Sequence, residues 1–134
     1  MDKTSGKNLI STFFRCFTDS DIEGVLDLLT DNVSWRMMGQ HGGMPISGTM
    51  DKEGVINLMK SIRELVEGHL VMTPKEWTVE MPRIATEVES NAKLKNGRVY
   101  NNLYHYLFVL KGDKIETIRE YGDTDQVRRV FLDP

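Results

Sequence analysis

The spacing of apolar residues changes once along this chain, near Gly68, and this change limits the folds open to it. Before Gly68 apolar side chains recur every three or four positions, as in amphipathic helices, and after it they mostly alternate with polar ones, as in strands. The first half is predicted to contain a helix at 5–18 capped by Ser5, a short helix capped by Ser20 with Glu23, a strand at 33–38, a loop at 39–48 and a helix from Asp51 to Gly68. The second half is predicted to contain five strands, at 69–73, 77–81, 84–95, 98–110 and 114–121. A last helical turn, capped by Asp123, follows them. Helices followed by a run of strands indicate an α+β fold with an antiparallel sheet.

Asn96-Gly97 is the strongest turn signal in the second half, because both central residues of a type I′ hairpin turn need positive φ. A two-residue turn would place Lys95 opposite Arg98. The cross-strand pairs that follow are Glu87 with Tyr106, Glu89 with Tyr104, and Asn91 with Asn102. All six side chains would then share one face of the hairpin, and the other face would be mostly apolar.

Two arrangements of this hairpin remain open. In one, the apolar face packs on the helices and the polar face is in water. In the other, the helices cover the polar face and enclose a cavity, while the apolar face, with Val88, Leu103, His105 and Leu107, meets a second subunit. The aromatic side chains on the polar side favour the cavity.

Length and composition exclude several classes of protein. With 134 residues and 17 basic against 20 acidic side chains, for a net charge of −3, we expect one soluble domain over residues 1–134 that binds neither nucleic acid nor membranes. A single cysteine, Cys16, and a polar N-terminus without a signal-peptide pattern predict the cytoplasm. His41, His69 and His105 are too far apart to suggest a metal site, and no phosphate-binding loop is present, so we expect no metal and no cofactor.

Four segments resemble a known family: residues 20–25 (SDIEGV), 32–35 (NVSW), 97–104 (GRVYNNLY) and 118–124 (IREYGDT). On these, the chain resembles the SnoaL-like branch of the nuclear transport factor 2-like superfamily, whose relatives include ketosteroid isomerases, limonene-1,2-epoxide hydrolases and polyketide cyclases. The resemblance implies a cone-shaped, strongly curved antiparallel sheet with helices on its concave face, known as a cystatin-like roll. It also implies a deep apolar pocket for a small hydrophobic ligand and a homodimer formed through the convex face.

The catalytic residues of these relatives carry over only in part. The tyrosine that holds the enolate in ketosteroid isomerases corresponds to Phe13, and the general-base aspartate falls near Arg36 or Met37, so ketosteroid isomerase chemistry is not expected. In the epoxide hydrolases two aspartates flank an arginine. By similarity the aspartates correspond to Glu120 and Glu89, whereas the arginine corresponds to Glu87.

Glu120 is also the nearest equivalent of the single acid in SnoaL-like polyketide cyclases. The turn at 111–114 decides which face Glu120 occupies: a two-residue turn would turn Arg119 and Tyr121 inward, and a three-residue turn would turn Glu120 inward. The resemblance favours Glu120. A carboxyl group buried among apolar side chains can exchange protons near neutral pH.

These residues predict one of two functions. The first is a cofactor-free isomerase, cyclase or epoxide-hydrolase-like enzyme, and the second is a non-catalytic binding or accessory protein with the same pocket. The predicted site comprises Glu120 as acid and base, Glu89 and Arg36 in support, Tyr104 and Asn102 orienting a substrate oxygen, and Tyr106 and Trp35 in the substrate-binding wall.

Overall fold

The computed structural model describes residues 1–38 and 48–134 and shows helices followed by a run of strands. The helices are α1 (Lys3–Thr18), α2 (Ile22–Asp27), α3 (Lys52–Leu65) and α4 (Thr124–Val127), with a π-helical turn at Arg128–Leu132. The strands are β1 (Leu29–Met37), β2 (Gly48–Met50), β3 (Val66–Glu80), β4 (Arg83–Leu94), β5 (Val99–Tyr100), β6 (Leu103–Lys111) and β7 (Lys114–Gly122). This order confirms the α+β prediction. No helix in the described part of the chain is long and apolar enough to cross a membrane.

The seven strands form one curved, unclosed sheet in the order β2-β1-β7-β6-β4-β3, with β5 beside β4. The predicted curved sheet is confirmed, but it is mixed rather than purely antiparallel, because β1 and β7 run parallel. Hairpins force antiparallel pairing on neighbours in sequence. β1 and β7 are separated by most of the chain, so no hairpin fixes their direction.

Helix α1 lies on the inner face of the sheet and supplies three of the eight buried aromatic side chains among the described residues. Phe13 and Phe14 are almost fully buried, and both rings contact Phe108 edge-on, with centroids 5.5 and 5.7 Å away. Phe14 also meets Tyr106 at 5.1 Å. These contacts hold the helix against β6, and Phe17 at its C-terminal end points toward the remaining space above the sheet.

Two predicted helix caps are wrong and two are confirmed, one of which is Asp123 at the start of α4. Asp2, not Ser5, caps α1, and its side chain accepts a hydrogen bond from the Ser5 amide. Asp21, not Ser20, caps α2, because Ser20 adopts a left-handed conformation with φ of 58° and cannot serve as the extended capping residue. Asp51 caps α3 as predicted.

Several strand boundaries differ from the prediction. α3 ends at Leu65. β3 continues without interruption through Pro74, where a break was predicted. An edge strand tolerates a proline where its hydrogen-bond ladder is irregular, and the β3–β4 register shifts between Pro74 and Trp77. β1 begins at Leu29, and the predicted strand 98–110 is divided between β5 and β6. Of the predicted loop at 39–48, Gly48 begins β2, and the remaining residues, with His41, lie outside the described residues.

The predicted two-residue turn at Asn96-Gly97 is wrong. The Leu94 amide donates to the Arg98 carbonyl at 2.8 Å, so the turn contains three residues, with Gly97 at φ 92°. This is a familiar three-residue hairpin, a type I turn followed by a glycine in the left-handed region. All pairs therefore shift by one residue: Val88, not Glu89, lies opposite Tyr104, and Glu89 lies opposite Leu103.

The β6–β7 hairpin turns Glu120 inward by a different route from the one predicted. Its turn has two residues, Gly112-Asp113, with Lys111 opposite Lys114. The register then shifts at Glu116, so that Leu110 pairs with Ile115 but Val109 pairs with Thr117. This β-bulge adds the residue that the turn lacks. Glu120 consequently lies opposite Tyr106, on the inner face.

We predict that Gly97→Ala lowers the free energy of unfolding by about 1 kcal/mol, because an L-residue is strained at positive φ. Asn96→Ala should cost about half as much, since Asn96 is not among the positive-φ residues and loses only the hydrogen bond from its Oδ1 to the Arg98 amide. Urea unfolding of the three proteins measures both losses. Equal losses would indicate positive φ at both positions, as in a two-residue turn.

Candidate functional site

A cavity of about 180 Å³ lies between the inner face of the sheet, α3 and the C-terminal segment. Its wall is mostly apolar, and one face of α3 contributes residues at helical spacing. The lining residues are Phe17, Trp35, Met37, Leu58, Ser61, Ile62, Leu65, Leu70, Met72, Tyr100, Tyr104, Tyr106, Glu120, Val127, Phe131 and Leu132. Such a cavity matches a small hydrophobic ligand with few polar groups.

Glu120 brings a carboxylate into this apolar wall. The indole Nε1–H of Trp35 donates to its Oε1 at 3.0 Å. Loss of hydration raises the pKa of Glu120 to about 7, although hydrogen bonds from Tyr106 and Trp35 stabilise the ionised form and lower the pKa in part. At neutral pH the carboxyl group is therefore able both to accept and to release a proton.

Three tyrosines from β5 and β6 surround the carboxylate. The hydroxyl groups of Tyr100 and Tyr104 are hydrogen-bonded to each other. Burial raises the pKa of Tyr100, Tyr104 and Tyr106, so all three stay neutral and able to donate. Gly122 makes room for Tyr104, because a Cβ atom there would lie 2.8 Å from Cδ1 of the ring.

Asn102 is buried behind the tyrosines and acts through them. Its Nδ2 donates to the Tyr100 hydroxyl at 2.9 Å and to the Asp123 carbonyl at 3.1 Å, while its Oδ1 accepts from the Leu103 amide at 2.8 Å. Asn102 does not line the cavity. It therefore fixes the position of Tyr100, and through it Tyr104, and joins the bend between β5 and β6 to the start of α4.

The C-terminal segment closes one side of the cavity with Val127, Phe131 and Leu132. The guanidinium group of Arg98 holds this segment: Nη1 donates to the carbonyls of Arg129 and Asp133 at 3.0 and 2.7 Å. The ring of Phe131 also packs edge-on against Tyr100, with centroids 4.7 Å apart.

A family profile described as the SnoaL-like domain matches residues 10–118 of the sequence. This chain belongs to the SnoaL-like domain family. The matched range contains the second half of α1, all of α2 and α3 and most of the sheet, and it ends before Glu120.

Several solved structures share this fold. An NTF2-like protein of unknown function from Burkholderia pseudomallei is 18% identical, with a TM-score of 0.83 over 99% of this chain and 100% of the other. An NTF2-like protein from Burkholderia xenovorans is 20% identical, with a TM-score of 0.77 over 97% and 98%. TerC, co-crystallised with polyporic acid, is 17% identical, with a TM-score of 0.80 over 94% and 97%. Comparison with curated proteins found no match.

Besides Asn102, two predicted site residues of the SnoaL-like domain lie outside the pocket, and both are on the outer surface. Glu89 is on the outer face, where Asn101 Nδ2 donates to it at 2.8 Å and Lys75 Nζ lies 3.6 Å away. These partners, the hydrogen bond from Asn101 above all, lower the pKa of Glu89. Arg36 is exposed, because its neighbour Trp35 points inward and successive side chains alternate. Neither supports Glu120 as predicted.

Glu120, Tyr104, Tyr106 and Trp35 thus all line the cavity of the SnoaL-like domain. Asn102 does not line it but is hydrogen-bonded to Tyr100, which does. The sequence prediction missed Tyr100, although it shares its face with Tyr104 by alternation. It also missed Phe131. The sequence showed the helical spacing between Val127 and Phe131, but it did not show that Phe131 lines the pocket. In the described part of the chain, no three His, Cys, Asp or Glu side chains come together in a way that could hold a metal ion.

We predict that Glu120 titrates near pH 7, and that Trp35→Phe raises this pKa further, because the ionised carboxylate loses the indole donor. Side-chain carboxyl NMR titration measures the shift, and Glu89 serves as an internal reference that titrates below its ordinary value. Trp77→Phe is the matched control, since that indole lies near Lys7 and away from the pocket. Titration of Glu120 near pH 4.5 in the wild type would show a hydrated carboxylate and contradict the prediction.

Proposed function

We propose that this SnoaL-like domain is a cofactor-free enzyme that binds a small hydrophobic molecule and transfers protons within it, with Glu120 as the acid and base. The observation that carries the proposal is that the described lining residues include one carboxylate, partly desolvated and hydrogen-bonded by Trp35, in a mostly apolar cavity. A group with a pKa of about 7 is matched to proton transfer at neutral pH. The reaction class is isomerisation, cyclisation or hydrolysis.

The pocket provides a donor for the oxygen on which negative charge develops. Tyr104 reaches the cavity, is neutral, and is hydrogen-bonded to Tyr100, which Asn102 holds in turn. In this proposal, Glu120 removes a proton from a carbon of the substrate, Tyr104 donates a hydrogen bond to the adjacent oxygen, and Glu120 returns the proton at another position. A donor already in place needs no reorganisation during the reaction.

The SnoaL-like family and its structural neighbours support a ligand pocket. TerC, which shares the fold, was crystallised with polyporic acid. A bound small molecule in that protein supports the same use of the cavity here.

The alternative is a binding protein without turnover, and one observation favours it. Glu89 and Arg36, the carboxylate and the cation predicted to support Glu120, are on the outer surface, which leaves Glu120 without an ionised partner among the described lining residues. A carboxylate hydrogen-bonded to an indole can also serve only to orient a ligand.

We predict that Glu120→Gln lowers turnover of any substrate by at least about 10²-fold, the scale of general acid–base catalysis, because glutamine keeps the shape but cannot titrate. Substrates are sought by thermal-shift screening of small hydrophobic compounds, followed by product analysis. Affinity for apolar ligands should change little, since apolar burial provides most of it. Glu89→Gln, on the outer face, is the matched control and should leave turnover unchanged.

The outcomes separate the two functions. Conversion that survives Glu120→Gln would remove Glu120 from the mechanism. Ligands that bind tightly and are converted by neither protein would favour the binding protein.

We also propose that the domain forms a homodimer through the outer face of the sheet. Leu103 and Tyr121 expose 69% and 45% of their surface there, with His105 beside them and Val99 nearby on β5. Val88, predicted to belong to this surface, is instead buried on the inner face. Burying the exposed apolar side chains stabilises a dimer by roughly 25 cal/mol per Å² before association costs.

We predict that sedimentation at micromolar concentration gives twice the chain mass, and that Leu103→Glu shifts the protein toward monomer by placing a charge in the interface. Leu132→Glu is the matched control, because Leu132 is also exposed but lies at the pocket. A monomeric wild type would exclude the dimer at that concentration.

A further inference from the structure

We propose that the pocket selects a hydrophobic amine, bound as its ammonium ion against the Glu120 carboxylate and among the surrounding aromatic rings. This inference rests on the proposed function, because it assigns a ligand class to the same cavity. Three features of the described lining residues carry it: their charge, their aromatic content and the distribution of polar groups.

The first feature is charge. Glu120 is the only Asp, Glu, Lys or Arg side chain among the described residues that line the cavity. Its hydrogen-bonding partners, Trp35 and Tyr106, are neutral. The ion pairs within the described ranges all lie on other surfaces and include no lining residue. A desolvated carboxylate without a cation is costly, so a ligand that carries positive charge is stabilised and one that carries negative charge is repelled.

The second feature is the aromatic content of the wall. Six of the lining side chains are aromatic: Phe17, Trp35, Tyr100, Tyr104, Tyr106 and Phe131. Ring centroids of neighbours lie 5.6 Å apart for Phe17 and Trp35, and 5.5 Å apart for Tyr104 and Tyr106. Aromatic faces attract ammonium groups, most strongly where water is excluded, and alkylated ammonium ions suit such cages because they need few hydrogen bonds.

The third feature is the separation of polar and apolar groups along the cavity. Leu65 and Leu132 are exposed by 48% and 38% and mark its opening, and Leu58 and Ile62 follow Leu65 along the same face of α3. Glu120 and the three tyrosines come from the sheet side, and Ser61 is the only polar side chain that α3 contributes among the described lining residues. A fitting ligand therefore has one charged end and an apolar body, and the volume of about 180 Å³ limits that body to about one ring.

The test compares two probes that differ in charge and not in shape: benzyltrimethylammonium, and neopentylbenzene, in which carbon replaces the nitrogen. Binding is followed at pH 8, where Glu120 is mostly ionised, by the NMR signal of the Trp35 indole N–H. Trp77→Phe identifies that signal, since the chain has two tryptophans. Glu120→Gln and the outer-face control Glu89→Gln are titrated with the same probes.

We expect the cation to bind at least tenfold more tightly than the hydrocarbon, Glu120→Gln to remove that preference, and Glu89→Gln to keep it. Equal binding of both probes, or a preference that survives Glu120→Gln, would overturn the amine inference while leaving a hydrophobic pocket in place. Failure of both probes to bind would also overturn it. The proposed function fails separately, if the thermal-shift screen finds no ligand of any charge.

Discussion

Side chains alternate between the two faces of every strand, and the pocket depends on this constraint. Five strands line the cavity, and each must present the correct set of residues to the inside. β6 does so with Tyr104 and Tyr106, and β1 does so with Trp35. In β7 a regular ladder would have turned Arg119 inward, and the bulge at Glu116 places Glu120 there instead. One extra residue therefore decides whether the cavity contains a carboxylate or a guanidinium group.

The same burial that suits the cavity to apolar ligands raises the pKa of its carboxyl group. Removal of water around Glu120 raises its pKa to about 7, and the indole of Trp35 keeps the shift from being larger. Its aromatic neighbours contribute no charge that would restore an ordinary pKa. The ligand binding and the proton transfer that we propose thus have a common physical origin in the desolvation of the cavity.

A second layer of contacts keeps the wall in place. Asn102 links Tyr100 to the start of α4, and Arg98 fastens the segment that carries Phe131. Neither side chain needs to touch a ligand, because each acts by fixing the position of residues that line the cavity. Both side chains make their hydrogen bonds to other groups of the protein. These bonds fix the C-terminal segment, which forms part of the cavity wall, and so give the cavity a defined shape.

The sequence by itself determined the class of fold, the approximate elements and most of the pocket's chemistry. Helical spacing placed Phe13 in the core, and alternation put Tyr104 and Tyr106 on one face. These signals are local, because each depends on residues a few positions apart. The resemblance to the SnoaL-like family pointed to Glu120, although the matched range ends at residue 118.

The tertiary structure alone decided the register of the two hairpins and therefore which acidic residues face the cavity. Glu89 lies outside because Lys95 joins the turn, and Glu120 lies inside because of a bulge four residues before it. A turn and a bulge each change the pairing of the strands by one residue. The free-energy cost of that change is small, so packing across the sheet outweighs it. Sequence spacing and the family resemblance could therefore identify the carboxylates, but only the packed sheet could choose between them.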